Sequence, residues 1–280
     1  MKKILVSLIV IASVVACTKD CEECKKDCDP AQDSTCNCDT IYIPPPPDTS
    51  CKTDLTKGLL AYFPFNGNFN DESGNGNNAT SKNGAYLTTD FLGRTGKAAG
   101  FDGVNDYLIV PGSNKLNADT ITVSFQVMVN TINRRHAGVS RANYETVQSH
   151  VFAIQQSQPS DNKWNFAVVP GTDDCSKLYS YDPGGAVYAS GPTQPGRWYN
   201  IVASFAGGVQ KIYLDGVLQS STTRTFTKVK SCDNGDLLIG GWWKNDILSI
   251  DGKIDEVRLY KRLLTDCEIS KLSEVFKDAQ

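Results

Sequence analysis

Short apolar or alternating runs, separated by Gly, Asn, Asp and Pro, fill residues 55–280. The clearest run is ITVSFQVMV, in which the odd-numbered residues from Ile121 to Val129 are all apolar and so lie on one face of a strand. Runs of this kind predict eight strands. They are Leu59–Phe63, Tyr107–Val110, Ile121–Val129, Val151–Gln155, Asn165–Val169, Trp198–Phe205, Gln210–Leu214 and Lys253–Tyr260.

Local signals add a hairpin and one helix. In KIYLDGVLQ, the pair Asp215-Gly216 predicts a two-residue turn, because both central positions must accept positive φ. Thr265 and Glu268 have the spacing of a capping box at the start of a helix. That helix would dock on the strands through one apolar face: Ile269, Leu272, Val275 and Phe276. We therefore predict an all-β fold, a jelly-roll sandwich of two antiparallel sheets with a short C-terminal helix.

Residues 1–16 predict an export signal. A basic start, Met1-Lys2-Lys3, precedes the apolar run Ile4–Val15, which as a helix would extend about 18 Å against a bilayer core of about 30 Å. The sequence SVVAC that ends at Cys17 resembles a bacterial lipoprotein signal, in which this cysteine is lipidated and becomes the new N-terminus. The alternative is an ordinary signal peptide that happens to contain Cys17.

Residues 17–54 predict a flexible tether. Large apolar residues are few, and Pro44–Pro47 favours extended polyproline II structure. The acids that follow Cys17, beside Lys19, resemble the charged surface-export signal of lipoproteins in Bacteroidetes-type bacteria. We therefore expect a protein that is lipid-anchored in the outer membrane, at the cell surface, and that contacts the membrane through its lipid alone.

Cysteine is abundant, with ten in the chain. Beyond Cys17, most lie in the tether, while Cys175, Cys232 and Cys267 lie in the body. The tether spacings lack the paired C-x-x-C halves and the histidine of a structural zinc site, so disulfides are the expectation for an exported protein. The count without Cys17 is odd, which leaves a free thiol, an intermolecular bond or metal capture open.

Four sequence blocks occur in an order that is characteristic of one family. They are GLLAYFPFNGNFNDESGNGNNAT, KAAGFDGVNDYLIVP, RWYNIVASFAGGVQKIYLDGVL and LLIGGWW…DGKIDEVRLYKRLLTDCEI. Together they resemble the laminin-G-like β-sandwich, which is a concanavalin A-like lectin/glucanase and pentraxin-related domain. The resemblance implies a jelly roll with adjacent termini. It therefore also implies that Cys51, before the first strand, and Cys267, after the last, can form a disulfide.

The residues that catalysis would need do not match the superfamily's pattern. Laminarinase-like enzymes carry E-x-D-x-(x)-E on one strand, which supplies the two carboxylates of glycoside hydrolysis. In KIDEVRLY, Asp255 and Glu256 are adjacent and so face opposite sides of a strand, and no acid precedes them at the required offset. His136 and His150 fit no nucleophile or metal signature. We therefore predict that the protein is not an enzyme.

The segment NDESGNGN raises the question of calcium. Read as an EF-hand loop, it places Lys82 where a bidentate glutamate is required, which excludes that motif. The resemblance implies a different site, with oxygens gathered from separate strands: Asp71 and Asp255, with Asn77 and Asp102 as additional ligands. Calcium would then be a structural cofactor. The alternative is that Asp71 is a turn residue whose side chain caps nearby backbone.

Exposed aromatic and polar residues are the candidates for ligand binding. Trp242 and Trp243 are adjacent, which predicts one facing inward and one outward. We take Trp243, with Arg135, Tyr144 and Tyr181 from loop segments, as the candidate binding residues. The net charge of −3 gives no basic surface for nucleic acid.

The sequence thus predicts a surface-tethered lipoprotein that binds an extracellular ligand, carbohydrate first, without catalysis. The alternatives are an adhesion or assembly module that binds a surface protein, and a glycoside hydrolase that lacks the recognised motif.

Overall fold

The computed structural model describes residues 52–132, 134–143, 149–156, 162–171, 185–243 and 247–277, all within one compact unit, Cys51–Gln280. The predicted signal 1–16, Cys17 and nearly all of the predicted tether 17–54 lie outside these residues. In the part of the chain that is described, no helix is long and apolar enough to cross a bilayer.

The described residues form two antiparallel sheets and one helix. The helix, α1, is Asp266–Lys277. The strands are β1 (Leu59–Phe63), β2 (Thr80–Lys82), β3 (Tyr86–Thr88), β4 (Ala98–Asp102), β5 (Tyr107–Val110), β6 (Ile121–Val129), β7 (His136–Asn143), β8 (Ser149–Gln156), β9 (Trp164–Val168), β10 (Ala186–Tyr188), β11 (Trp198–Ala206), β12 (Val209–Leu214), β13 (Val217–Thr223), β14 (Asp236–Ile239) and β15 (Asp251–Tyr260).

The strand order is that of a sandwich in which neighbours in space are distant in sequence. The first sheet runs β13-β12-β11-β6-β15-β4-β3, with β1 also paired to β15. The second sheet runs β10-β9-β8-β7-β14-β5-β2. The inner faces meet in one apolar core that contains Phe125 of β6, Phe166 of β9 and Leu237 of β14. The predicted fold class is confirmed, and each of the eight predicted strands is present within two residues at either end.

The two local signals are also confirmed. Asp215 and Gly216 have φ of 50° and 81° in the turn between β12 and β13. At the start of α1, the Glu268 backbone N–H donates to Thr265 Oγ1 at 3.2 Å, and the Thr265 backbone N–H donates to Glu268 Oε2 at 2.9 Å. Both halves of the capping box are therefore formed.

Helix α1 lies on the outer face of the first sheet. Ile269 and Leu272 pack with Val202 of β11 and Tyr260 of β15, both of which point away from the central core. The side chains of Val275 and Phe276 lie outside the described residues. All nine residues of β6 are buried, although its alternation predicts burial on one face only.

Candidate ligand-binding site

A β-bulge interrupts β15 at the centre of the first sheet. The pairing of β15 with β6 shifts between Asp255 and Arg258, and Glu256 has a φ of 52°. Ile254 and Val257 both belong to the central core, so the two residues between them lie on the outer side of the sheet. The prediction that Asp255 and Glu256 face opposite sides is wrong, because the bulge turns both acids outward.

The two acids stand beside a cavity, which we call the bulge pocket. Its volume is about 320 Å³, and it lies between the outer face of the first sheet and α1. Its polar and aromatic wall residues are Tyr62, Phe91, Arg94, Gln126, Glu256, Arg258 and Lys271. This volume is at the lower end of the range for small-molecule sites, and four of the nine wall residues are on strands.

Within the pocket the carboxylate of Glu256 is held on two sides. The Tyr62 hydroxyl donates to Glu256 Oε2 at 2.9 Å, and Arg258 Nη2 lies 2.5 Å from the same oxygen. The Arg258 guanidinium also stacks over the Tyr62 ring, 4.1 Å from its centroid. Tyr62 comes from β1, whereas Glu256 and Arg258 come from β15, so strand pairing fixes the position of the carboxylate.

Asp255 lies deeper, with only 2% of its surface exposed. Burial raises the pKa of Asp255 to about 8, and the neighbouring charge of Glu256 adds to the shift. The carboxyl group accepts a hydrogen bond from the Glu256 backbone N–H at 2.7 Å. At neutral pH the Asp255 carboxyl group is therefore largely protonated.

The predicted calcium residue Asp71 is surrounded by donors from the protein. Asp71 Oδ1 accepts from the backbone N–H groups of Tyr62 and Ser73, each at 2.9 Å. Asp71 Oδ2 accepts from the Ser73 hydroxyl and the Asn77 backbone N–H, also at 2.9 Å. Asn77 in turn donates through Nδ2 to the Leu60 carbonyl at 2.8 Å. The segment NDESGNGN thus forms hydrogen bonds with the edge of β1 that does not pair with β15.

The other predicted calcium ligands have separate environments. Asp102 Oδ1 accepts from the Val104 backbone N–H at 2.8 Å in the turn after β4, and Asp255 is in the bulge. Across the described ranges, no three His, Cys, Asp or Glu side chains are grouped so that they could hold a metal ion. Calcium binding stays a prediction, and thermal melting with and without millimolar calcium tests it.

Replacing Asp71 with alanine is expected to destabilise the domain by about 1–3 kcal/mol, because it removes the acceptor of four hydrogen bonds beside a strand edge. Chemical denaturation measures the change in the free energy of unfolding. Asp119→Ala is the matched control, because Asp119 forms a surface ion pair with Lys228 and is 57% exposed. Equal effects of the two substitutions would contradict the role of Asp71 as a hydrogen-bond acceptor at the edge of β1.

The ligand-binding residues predicted from the sequence lie elsewhere. Trp243 is half-buried and packs against Ala142 and Leu238 on the outer face of the second sheet. The Arg135 guanidinium lies 5.3 Å from the ring centroid of Trp242, which is itself 7% exposed. Tyr144 and Tyr181 lie outside the described residues. Their shared role stays a prediction.

One sequence expectation on the second sheet, that Trp242 and Trp243 face opposite sides, needs correction. Trp242 packs against Ala137 and Ala153 in a cluster apart from the central core, so both tryptophans lie on the outer side instead of opposite sides. The reason is that both follow the end of β14 in a loop that folds over the sheet. His150, which stacks on Trp242 with ring centroids 4.9 Å apart, is fully buried, and burial lowers its pKa to about 4.

Sequence reasoning missed Tyr62 and Gln126 as pocket residues. Gln126 is a polar residue within the apolar run ITVSFQVMV, and its position on the outer face follows from the alternation. Tyr62 is opposite Arg258 in the pairing of β1 with β15, which a single sequence does not reveal.

Comparison with known families identifies the fold. The model of the concanavalin A-like lectin/glucanases superfamily matches residues 102–270, which is more than half of the chain. The chain belongs to this superfamily. The match includes β6 and β15, and therefore the bulge, of the concanavalin A-like domain. No curated protein sequence matches the chain.

Solved structures with this fold bind sugars, act on them or belong to toxins. Domain 4 of AbnA, a GH43 extracellular arabinanase from Geobacillus stearothermophilus, in complex with arabinotriose, is 22% identical over 77% of this chain and 98% of that one, with a TM-score of 0.55. Trypanosoma rangeli sialidase is 16% identical over 85% of this chain and 36% of its own, with a TM-score of 0.59. The binding domain of Paraclostridial Mosquitocidal Protein 1 is 15% identical over 80% and 53%, with a TM-score of 0.58.

These comparisons correct the prediction about catalysis. We predict from the missing E-x-D-x-(x)-E motif that the protein is not an enzyme, and this prediction is wrong, because an arabinanase and a sialidase are among the similar structures. At 16–22% identity the likeness concerns the fold, and the concanavalin A-like fold alone does not show catalysis.

Proposed function

We propose that the concanavalin A-like domain binds carbohydrate and that a sugar occupies the bulge pocket. The observation that supports this most strongly is the fixed carboxylate of Glu256, which the Tyr62 hydroxyl and Arg258 hold at 2.9 Å and 2.5 Å at the wall of a cavity of about 320 Å³. A preorganised acceptor beside aromatic rings and an amide suits a ligand with many hydroxyl groups and an apolar ring face.

Support from the comparisons concerns the class of ligand only. The arabinanase domain is in complex with arabinotriose, and its match to this chain covers 98% of the arabinanase domain. A concanavalin A-like module of this size therefore can hold an oligosaccharide. The position of the sugar in the present protein is argued from its own pocket.

Tyr62→Phe is expected to weaken glycan binding about fivefold to twentyfold. The substitution removes the hydroxyl that donates to Glu256 but keeps the ring that stacks with Arg258. A glycan array with the purified protein selects the ligand, and isothermal titration calorimetry then measures its dissociation constant. Tyr188→Phe is the matched control, because Tyr188 is 43% exposed on the second sheet.

Two results would count against the proposal. Equal affinities for the Tyr62→Phe and Tyr188→Phe variants would show that the bulge pocket is not the binding site. Failure to bind any glycan, together with capture of a surface protein in a pull-down, would favour the adhesion or assembly alternative. Release of reducing ends from a polysaccharide would show that the protein also hydrolyses its ligand.

We further propose that the protein is exported and anchored to the outer membrane, at the cell surface, by a lipid on Cys17. The basic start, the short apolar run and the Cys- and Pro-rich stretch before the domain support this. Cys17→Ser should move the protein from the membrane fraction to the soluble fraction. Retention of that variant in the membrane fraction would contradict the anchor.

We also propose the disulfide between Cys51 and Cys267. Cys51 lies outside the described residues, but nearby Asp54 contacts residues on both sides of the start of α1. Arg262 Nη2 donates to the Asp54 carbonyl at 2.7 Å, and the Asp54 backbone N–H donates to Glu268 Oε1 at 3.3 Å. Closing the long loop between Cys51 and Cys267 would stabilise the domain by roughly 4–5 kcal/mol in the chain-entropy model. Peptide mapping without reduction tests the pairing, and a different partner for Cys51 would contradict it.

A further inference from the structure

A polar side chain in the wall of the bulge pocket, Gln126, has an oxygen without a hydrogen-bond partner in the described part of the chain, and so do two buried polar residues beside it on the same sheet. Gln126 lines the pocket and is 3% exposed, and its neighbours on the same outer face, Ser124 and Asn200, are 1% and 2% exposed. Among the described residues, Gln126 Oε1, Ser124 Oγ and Asn200 Oδ1 have no hydrogen-bond partner. A buried acceptor left in this state costs about 1–3 kcal/mol, so Gln126 Oε1 favours a ligand that brings a donor.

Strand pairing places these groups side by side with the bulge. Asn200 of β11 is directly opposite Gln126 of β6, and Gln126 is directly opposite Asp255 of β15. The row therefore crosses three central strands, and its spacing is set by the sheet. A hydroxyl group both donates and accepts, so it can satisfy an amide in either orientation.

The cations around the pocket, by contrast, already have anionic partners. Arg258 Nη2 lies 2.5 Å from Glu256, and Arg94 Nη2 lies 2.6 Å from Asp90, whose side chain is fully buried. Lys271 of α1 pairs with Glu274 at 3.2 Å. An acidic ligand would have to displace one of these carboxylates, and it would also approach Glu256 and Asp255.

We infer that the bulge pocket selects neutral, hydroxyl-rich sugars over acidic ones, with Gln126 as the residue that recognises a sugar hydroxyl. The inference rests on the proposed carbohydrate binding and names its ligand class. Because Gln126 offers an acceptor and the cations around the pocket are already paired, specificity comes from the hydroxyl groups of the ligand, and a carboxylate on the sugar weakens binding.

The test uses the purified full chain and pairs of oligosaccharides of the same linkage. Within a pair, each sugar unit has either a hydroxymethyl group or a carboxylate at the same position. Galactotriose with trigalacturonate, and cellotriose with its triglucuronate counterpart, are measured by titration calorimetry beside a wider glycan array. We expect at least tenfold tighter binding of the neutral member of a pair. Gln126→Met should lose that binding at least tenfold.

Gln155→Met is the matched control, because Gln155 is also buried with an unpartnered Oε1, but it lies on β8 of the second sheet. The control should bind like the unchanged protein, and both variants are checked for folding by circular dichroism. Tighter binding of the acidic sugars, or an equal loss in both variants, would overturn the inference while leaving carbohydrate binding intact. Binding of no sugar on the array would overturn the proposed function itself.

Discussion

Replacing Gly252 with alanine is expected to destabilise the domain by about 3–5 kcal/mol. Gly252 lies in β15 opposite Val129 of β6 and Phe101 of β4, with a φ of 158°. A Cβ atom there would be 2.0 Å from the Met128 carbonyl oxygen and 3.0 Å from its carbon. These are backbone atoms of the neighbouring strand, so relief requires separating the two central strands beside the bulge pocket.

Chemical denaturation of both proteins gives this difference in the free energy of unfolding. Gly191→Ala is the control, because a Cβ atom at Gly191 meets nothing within 4 Å and its φ is not positive. That variant should change stability by less than about 0.5 kcal/mol. If Gly252→Ala proved as mild as Gly191→Ala, the close pairing of β15 with β6 in this structure would be wrong.

Asp255→Asn is expected to stabilise the domain at pH 8 by on the order of 3–5 kcal/mol and to change little at pH 4. Burial raises the pKa of Asp255 to about 8 in the folded state, against about 3.8 unfolded. Between these values the folded state binds more protons, so stability is full below pH 4 and is lost as pH rises toward 8. Asparagine has the shape of the neutral acid and removes this loss.

Denaturation curves at several pH values measure the change in the free energy of unfolding. The Asp251→Asn variant is the comparison, because its stability is expected to change in the opposite direction. Burial alone would raise the pKa of Asp251, but hydrogen bonds from Thr131 and Asn130 outweigh it and hold the pKa below its ordinary value. Asp251→Asn should therefore destabilise the domain at pH 7. A loss of stability in Asp255→Asn at pH 8 would show instead that Asp255 is ionised in the fold and has a cationic partner.

The two buried histidines also make the stability of the domain depend on pH below about 6.5. Burial lowers the pKa of His136 and of His150 to about 4, so the folded state resists their protonation. Stability that is full above about pH 6.5 is lost as pH falls toward 4. Because the Asp255→Asn variant and the unchanged protein share this loss, the difference between them isolates Asp255.

Much of the fold follows from the sequence because alternation and turn residues are local signals. The run Ile121–Val129 and the Asp215-Gly216 turn were sufficient to place β6 and the hairpin. Strands such as β4 and β14 are short and contain glycine or lie between turns, and their pairing comes from distant residues. They are therefore not distinguished by periodicity.

The site was harder to predict because it depends on a break in periodicity. On a regular strand Asp255 and Glu256 would face opposite sides, and the bulge that brings them together arises where β15 changes neighbours from β4 to β1. Likewise, alternation assigns Gln126 to the outer face but does not predict that this face is buried. Helix α1 covers that face, and only tertiary packing reveals it.

The most direct test of the central claim is a crystal structure of the protein with the tightest-binding glycan from the array. The account predicts a sugar in the bulge pocket, with hydroxyl groups within hydrogen-bond distance of Glu256 and Gln126. A sugar bound over Trp243 and Arg135 on the second sheet, and not in the bulge pocket, would contradict the account.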